Sequence, residues 1–336
     1  MVDPLSDAPG PPAPPASVDA VAELGARMLS AIETVIDGKA AVIRTALVVL
    51  FAEGHLLIED VPGVGKTMLA KALATAMSGT VRRIQFTPDL LPSDVTGVSV
   101  YEPERRTFEF RPGAVFANVV IGDEINRASP KTQSALLECM EERQVTVDGQ
   151  TYYLAPPFFV VATQNPVEME GTYPLPEAQR DRFTAQVAMG YPSATAELAM
   201  LDSHTTGVPL DQLKPVTSTD EVAALTSVVR RVHVASDVRR YIVDLVTATR
   251  RHPELRLGAS PRAGLQLLRS ARAAAAMEGR AYVLPDDVQA LAGAVLSHRL
   301  LLTPAASSSR RQPFDIVTEI VSRLPIPVPI STRASG

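Results

Sequence analysis

From Ser17 onward, apolar residues recur at three- and four-residue spacing, at Val21, Leu24, Met28, Ile32 and Val35, and Gly38 follows them. That spacing predicts an amphipathic helix with a glycine stop. A second helical run passes through Phe51 to Gly54, after which Leu56-Leu57-Ile58 reads as a short buried strand. Another helical run extends from Met68 to Met77, and apolar strands are predicted at Val119 to Ile121 and at Phe158 to Ala162. Alternation of this kind predicts an α/β fold, a largely parallel sheet with helices on both faces. After Pro192 the strand pattern stops. Val238, Tyr241, Ile242, Leu245 and Val246 form one helical face, and Val288, Leu291, Ala292, Val295 and Leu296 form another. Between them Ser260-Pro261 supplies an N-cap and a first-turn proline, and Gly279 a stop. The expected division is an α/β domain over 17–191 and a smaller all-helical domain over 192–305. A disordered Pro-rich lead over 1–16 and a C-terminal tail over 306–336 flank them.

With 336 residues the chain is long enough for about two domains. Its formal charge of −5 argues against a general binder of nucleic-acid backbone. Cys139, the one cysteine, falls beside Leu136 and Met140 at helical spacing and reads as a buried thiol. The longest apolar run, Thr45 to Ala52, is far below the ~20 residues of a membrane helix, and the first basic residue is Arg27, without the positively charged start of a secretory signal. The expectation is a cytoplasmic protein with no membrane insertion.

The chemistry begins where the first strand meets Pro62-Gly63-Val64-Gly65-Lys66-Thr67-Met68. Strand, glycine loop and helix make the setting of a phosphate-binding loop, in which backbone N–H groups wrap the phosphates. Lys66 would reach the β and γ phosphates, and the Thr67 hydroxyl would ligate Mg²⁺. The usual pattern has glycine five residues before Gly65, where this chain has Asp60. A second element, Val119-Val120-Ile121-Gly122-Asp123-Glu124, is an apolar strand releasing two acids at its end. Asp123 would hold the Mg²⁺ and its water shell, while Glu124 would polarise the attacking water. Taken alone, the pair would more readily be an acidic strand-end turn; its pairing with the Lys66 loop reverses that and favours the catalytic reading. Among the five histidines none has metal-ligand spacing with another or with Cys139. His55 and His298 are expected to serve packing and hydrogen bonding.

These motifs resemble the MoxR-type members of the AAA+ ATPases. The resemblance rests on Asp60 to Thr67, Asp89 to Gly97, Asp123-Glu124-Ile125-Asn126-Arg127-Ala128, Gln133 to Glu138, Ala162-Thr163-Gln164-Asn165-Pro166 and Gly171 to Gln179, and it spans about residues 20 to 305. It implies ATP and Mg²⁺ as cofactors, a P-loop domain over 17–191 and a helical lid after it. Asn165 stands at the sensor-one place, where its amide would orient the lytic water; a lone Asn-Pro would otherwise be an ordinary turn. Arg182 would supply an arginine finger to a neighbouring subunit, with Arg180 as the alternative. Arg262, at the second position of the helix opened by Ser260-Pro261, matches the sensor-two arginine. It would report on the γ-phosphate from the lid of its own subunit. The segment Val145 to Tyr153 reads as a hairpin with an Asp148-Gly149 turn, and Asp94 to Phe116 resembles a family insertion.

The resemblance further implies a homo-oligomeric ring, a hexamer, and a client protein, one bearing a von Willebrand factor A-type domain. A nucleic-acid-directed motor or transcription activator is the alternative, since residues 230–299 hold twelve arginines against six acids. A nucleotide-bound scaffold that hydrolyses slowly is a third reading. The Gly-Ala-Phe-Thr-Gly-Ala loop of enhancer-binding activators is absent from the sequence.

Overall fold

Five parallel strands form the central sheet of the computed structural model, which describes residues 17–61, 63–165, 173–192, 197 and 209–327. Pro62 and the expected lead over 1–16 lie outside the described residues. In chain order the α/β part contains α1 (Val18–Glu33), α2 (Ala40–Phe51), β1 (Leu56–Glu59), α3 (Lys66–Ala76), β2 (Val81–Gln85) and α4 (Pro92–Thr96). It continues with β3 (Gly97–Glu102), β4 (Thr107–Pro112), β5 (Val119–Asp123), α5 (Pro130–Glu142), β6 (Gln144–Val147), β7 (Gln150–Tyr153), β8 (Phe159–Gln164), α6 (Glu177–Arg180) and β9 (Ala185–Val187). The sheet order is β2-β5-β8-β1-β9. Strand pleating sorts the side chains: Leu56, Ile58, Val119, Ile121, Phe159 and Val161 join one core cluster, while Leu57, Val120, Val160 and Ala162 join the other. Both faces are covered, which is why these strands read as unbroken apolar runs rather than alternating ones.

Ser17 caps α1 by accepting the Ala20 N–H, and Val21, Leu24, Met28 and Ile32 are fully buried, as the spacing predicts. The helical part contains α7 (Pro209–Gln212), α8 (Thr219–Arg230), α9 (Ser236–Arg251), β10 (Leu255–Leu257), α10 (Pro261–Met277), α11 (Pro285–Leu296), β11 (Leu301–Leu302), α12 (Pro304–Ser308) and α13 (Pro313–Arg323). Ser260 caps α10 through the Ala263 N–H, with Pro261 in the first turn. Two expectations need correction. The helical domain carries a small antiparallel ribbon, Leu255 opposite Leu302, too short to show a strand pattern in sequence. The stretch 306–336 is not simply a tail. Its helix α13 buries Ile316, Val317 and Ile320 against α11 and α9, an amphipathic face of three residues that is easily overlooked.

The hairpin β6–β7 forms as read, with Asp148 and Gly149 at φ 49° and 79°, the double positive φ of a two-residue turn. The insertion at 94–116 is a second hairpin, β3–β4. The two touch through Phe110 and Tyr152, whose rings stack at 3.9 Å.

Candidate functional site

At the carboxyl edge of β1 the backbone turns through Gly63 and Gly65, whose φ values of 84° and 90° suit glycine alone among common residues. Helix α3 starts at Lys66 with no side chain capping its N–H groups, leaving donors for an anion. Among the described residues nothing beyond the glycine's chain neighbours lies within 4 Å of the position a Gly63 Cβ would take. The side chains of Val64 and Met68 pack against the core instead, so these two positions can offer a nucleotide only their backbone. Lys66 Nζ donates to the Asp60 carbonyl at 2.6 Å, across the loop.

The departure at Asp60 now has a physical account. One carboxylate oxygen accepts the Val61 N–H at 2.7 Å and the other accepts the Gly190 N–H at 2.5 Å. Lys39 Nζ donates to the Gly190 and Tyr191 carbonyls at 3.3 and 3.0 Å, fixing that segment in turn. A glycine could make neither side-chain bond, so Asp60 ties the loop to the chain leaving β9.

Beside this loop, β5 delivers Asp123 and Glu124. Asp123 is buried; its Oδ1 accepts the Thr163 hydroxyl at 3.1 Å, and its Oδ2 accepts the Thr67 hydroxyl at 3.3 Å and Arg83 Nε at 2.6 Å. Thr67 and Asp123 therefore stand together. These two hard oxygens, with phosphate and water, suit Mg²⁺, which binds through one or two protein oxygens rather than an all-protein cage. Among the described residues no group of three or more His, Cys, Asp or Glu could hold a metal by itself. Glu124 is in the left-handed region at φ 58°, an uncommon state for a side chain of this size. Its N–H is held by Thr163 Oγ1 at 3.0 Å, and its Oε2 accepts Gln85 Nε2 at 2.9 Å and Arg127 Nη1 at 3.1 Å. The carboxylate is thus held by Gln85 and Arg127. Asn165 is buried at the end of β8, between β1 and β5 in the sheet. It reaches the same edge as the loop, because Asp60 N–H donates to the preceding Gln164 carbonyl. Arg83 and Gln85 escaped the sequence reading: β2 is mostly exposed and has no apolar run to announce a strand, so no signal placed these side chains beside β5.

The two arginines lie elsewhere. Glu53, Gly54 and His55 precede β1, and at this amino edge of the sheet a cleft of about 690 Å³ opens, lined also by Glu141, Arg182 and Arg262. Arg182 Nη1 donates to the Leu137 carbonyl at 2.7 Å and pairs with Glu141 at 3.3 Å; Arg262 bonds the same Glu141. The length of β1, roughly 13 Å at the usual rise, separates this cleft from the Lys66 loop. Arg262, expected to read the γ-phosphate of its own subunit, converges with Arg182 on Glu141 at the amino edge. The alternative Arg180 keeps its Nε buried without a hydrogen-bond partner among the described residues.

Buried groups around the cleft are tuned by their setting. Burial pushes the Glu53 carboxyl up, but hydrogen bonds from Arg230 and Arg143 outweigh it and hold it below the ordinary value. Desolvation lowers the His55 pKa to about 4, so the ring is neutral, its Nε2 3.0 Å from the Met140 carbonyl and its Nδ1 accepting the Val160 N–H. His298 is likewise pushed down by burial. Burial raises Cys139 to about 12, the inert thiol expected.

Comparison with known proteins agrees with this geometry. Residues 55–185 match the model of the ATPase family associated with various cellular activities (AAA), and residues 247–320 match an AAA lid domain, which takes in most of α13. The chain is 52% identical to the uncharacterised protein YeaC of Bacillus subtilis over 88% of its own length and 93% of the relative's. It is 40% identical to chaperone MoxR1 of Mycobacterium tuberculosis, covering 90% of this chain and 82% of that one. A crystal structure of a candidate ATPase from Cytophaga hutchinsonii superposes with a TM-score of 0.85 at 37% identity, covering 92% of this chain and 98% of the other. With a phosphate loop, a strand-end acid pair and a helical lid in one chain, this protein belongs to the MoxR-type AAA+ ATPases.

Proposed function

We propose that this chain hydrolyses ATP in a hexameric ring of identical subunits and uses the cycle to remodel a client protein. The observation that carries the reading is the division of the charged set between two edges of one sheet. Lys66, Thr67, Asp123, Glu124 and Asn165 occupy the carboxyl edge, and Arg182 and Arg262 the amino edge. No single copy joins them; two copies packed edge to edge would. In that arrangement the loop from Gly63 to Thr67 and Lys66 bind the triphosphate, and Thr67 and Asp123 hold Mg²⁺. Bound Mg²⁺ supplies positive charge against the phosphate oxygens. Glu124 orients the attacking water and receives its proton, with Asn165 positioning that water. Arg182 and Arg262 of the adjacent copy neutralise charge developing on the γ-phosphate as the bond to ADP breaks.

The client reading is supported by the relative named as a chaperone and by the paired hairpins. Phe108 and Tyr153 on them are 73% and 78% exposed, a sticky surface beside the stacked Phe110 and Tyr152. A client with a von Willebrand factor A-type domain is the class we favour. Four of the twelve arginines in the stretch 230–299, Arg230, Arg262, Arg280 and Arg299, are paired with Glu53, Glu141, Asp287 and Asp181, which weakens the case for a nucleic-acid motor. Among the described residues no helix is long and apolar enough to cross a membrane; we place the protein in the cytoplasm.

Mixing subunits tests the proposal. Arg182→Ala and Lys66→Ala homo-oligomers should each be nearly inactive, with Arg182→Ala losing about 10³- to 10⁵-fold in turnover while still binding ATP. A mixture should recover ATPase activity, because one kind supplies the pocket and the other the arginine. Mixtures no more active than either parent would refute a site shared between copies.

A further inference from the structure

Arg299 is a charged group almost wholly out of water, 3% exposed. Its Nε donates to Asp181 Oδ1 at 2.8 Å. Its other nitrogens bond the Phe183, Thr184 and Val295 carbonyls and Gln266 Oε1. One guanidinium thus joins the chain between α6 and β9 to α10 and to the end of α11. The Asp181 carboxylate is also shared: the Ser260 hydroxyl lies 2.9 Å from both its oxygens, and Arg262 Nε lies 4.0 Å from Oδ2. Ser260 is the N-cap of α10, two residues before Arg262, and Asp181 is the residue before Arg182.

Buried ion pairs are weak evidence for stability, because desolvating two charges offsets most of their attraction. What such a pair does supply is a fixed relation between the segments it joins. Here those segments carry the two arginines that meet at Glu141, one from the α/β domain and one from the lid. We infer that Asp181 and Arg299 are positioning residues, a buried brace that sets Arg182 and Arg262 in register as one unit for the nucleotide of the adjacent copy. The inference rests on the shared site proposed above. Without the brace, the lid helix and the arginine-bearing turn keep their folds but lose their mutual placement, while Lys66, Thr67 and Asp123, at the other edge, are untouched.

The test uses the full-length chain with Asp181→Asn, the double variant Asp181→Asn/Arg299→Gln, Ser260→Ala and, in parallel, Arg182→Ala. Asp181→Asn should lower ATP turnover about 10- to 100-fold, the scale of a misplacement near 1 Å, with ATP affinity by equilibrium dialysis within about twofold of wild type. Mixed with Lys66→Ala subunits, which carry an intact brace, Asp181→Asn subunits should regain activity; a general folding defect would not be rescued this way. The double variant removes both charges together and should recover melting temperature relative to Asp181→Asn while turnover stays low. Ser260→Ala leaves the ion pair intact, removes the α10 N-cap, and should show a smaller loss of turnover in the same direction. If Arg182→Ala loses turnover but Asp181→Asn and Ser260→Ala do not, or if turnover returns with stability in the double variant, the brace is overturned and the shared site stands. If Arg182→Ala itself turns over normally, the shared site falls and the brace with it.

Discussion

Asp60 occupies a place where glycine is usual, and replacing it with glycine should weaken nucleotide binding rather than improve it. Asp60→Gly removes two hydrogen bonds to a carboxylate, from the Val61 N–H at 2.7 Å and the Gly190 N–H at 2.5 Å. Bonds to charged groups contribute about 1.5–3 kcal/mol each. The site is half-buried and the Val61 contact is local, so we take the lower figure and halve it for Val61, leaving about 2 kcal/mol. Glycine also widens the conformations open to the free loop. If that energy holds the loop in its binding-competent shape, its loss lowers the competent population, and the apparent affinity falls by up to about 30-fold. The assay is equilibrium binding of ATP and ADP to wild type, Asp60→Asn and Asp60→Gly. Asp60→Asn keeps an acceptor for one N–H and should fall between. Melting temperature without nucleotide should change little, because the tethered segments are exposed or half-buried. An Asp60→Gly protein that binds ATP as tightly as wild type would refute the tether.

Glu124→Gln should keep ATP affinity and lose about 10²- to 10⁴-fold in turnover, measured by phosphate release, since the amide preserves shape but cannot take a proton. Because the folded pKa of His55 is depressed to about 4, protonation favours the unfolded chain, so its contribution is complete above pH 6.5 and lost as pH falls toward 4. Urea unfolding of His55→Gln at pH 7 and pH 4 should therefore show about 3 kcal/mol less acid destabilisation than wild type; equal slopes would mean that the ring is not buried neutral. Ile316→Ala should cost about 2–5 kcal/mol by chemical denaturation, as for a core position, whereas the same change in a free tail would cost nothing.

Much of this molecule could be read along the chain because its signals are local. The strand at Leu56 to Ile58, the glycines at 63 and 65, the acids ending β5 and the Ser260-Pro261 helix start each depend on residues near one another in sequence. Periodicity, turn chemistry and capping act over a few residues, so their traces survive in one dimension. The hairpin turn at Asp148-Gly149 is legible for the same reason. The edge strand β2 is not, since Arg82, Arg83 and Gln85 bury nothing that would mark it, and their partners Asp123 and Glu124 lie some forty residues away. Likewise the role of Asp60 needed Gly190, 130 residues on, to become visible. The separation of Arg262 from Lys66 followed only from where the lid packs. That placement is decided by the apolar faces of α1, α8 and α10 meeting in one core and by a buried Arg299 whose partners come from α6 to α11. Long-range packing of this kind has no spacing to read, because the residues it joins are arbitrary distances apart in the chain; the sequence determined which chemical groups are present, and the tertiary structure decided which of them can act together.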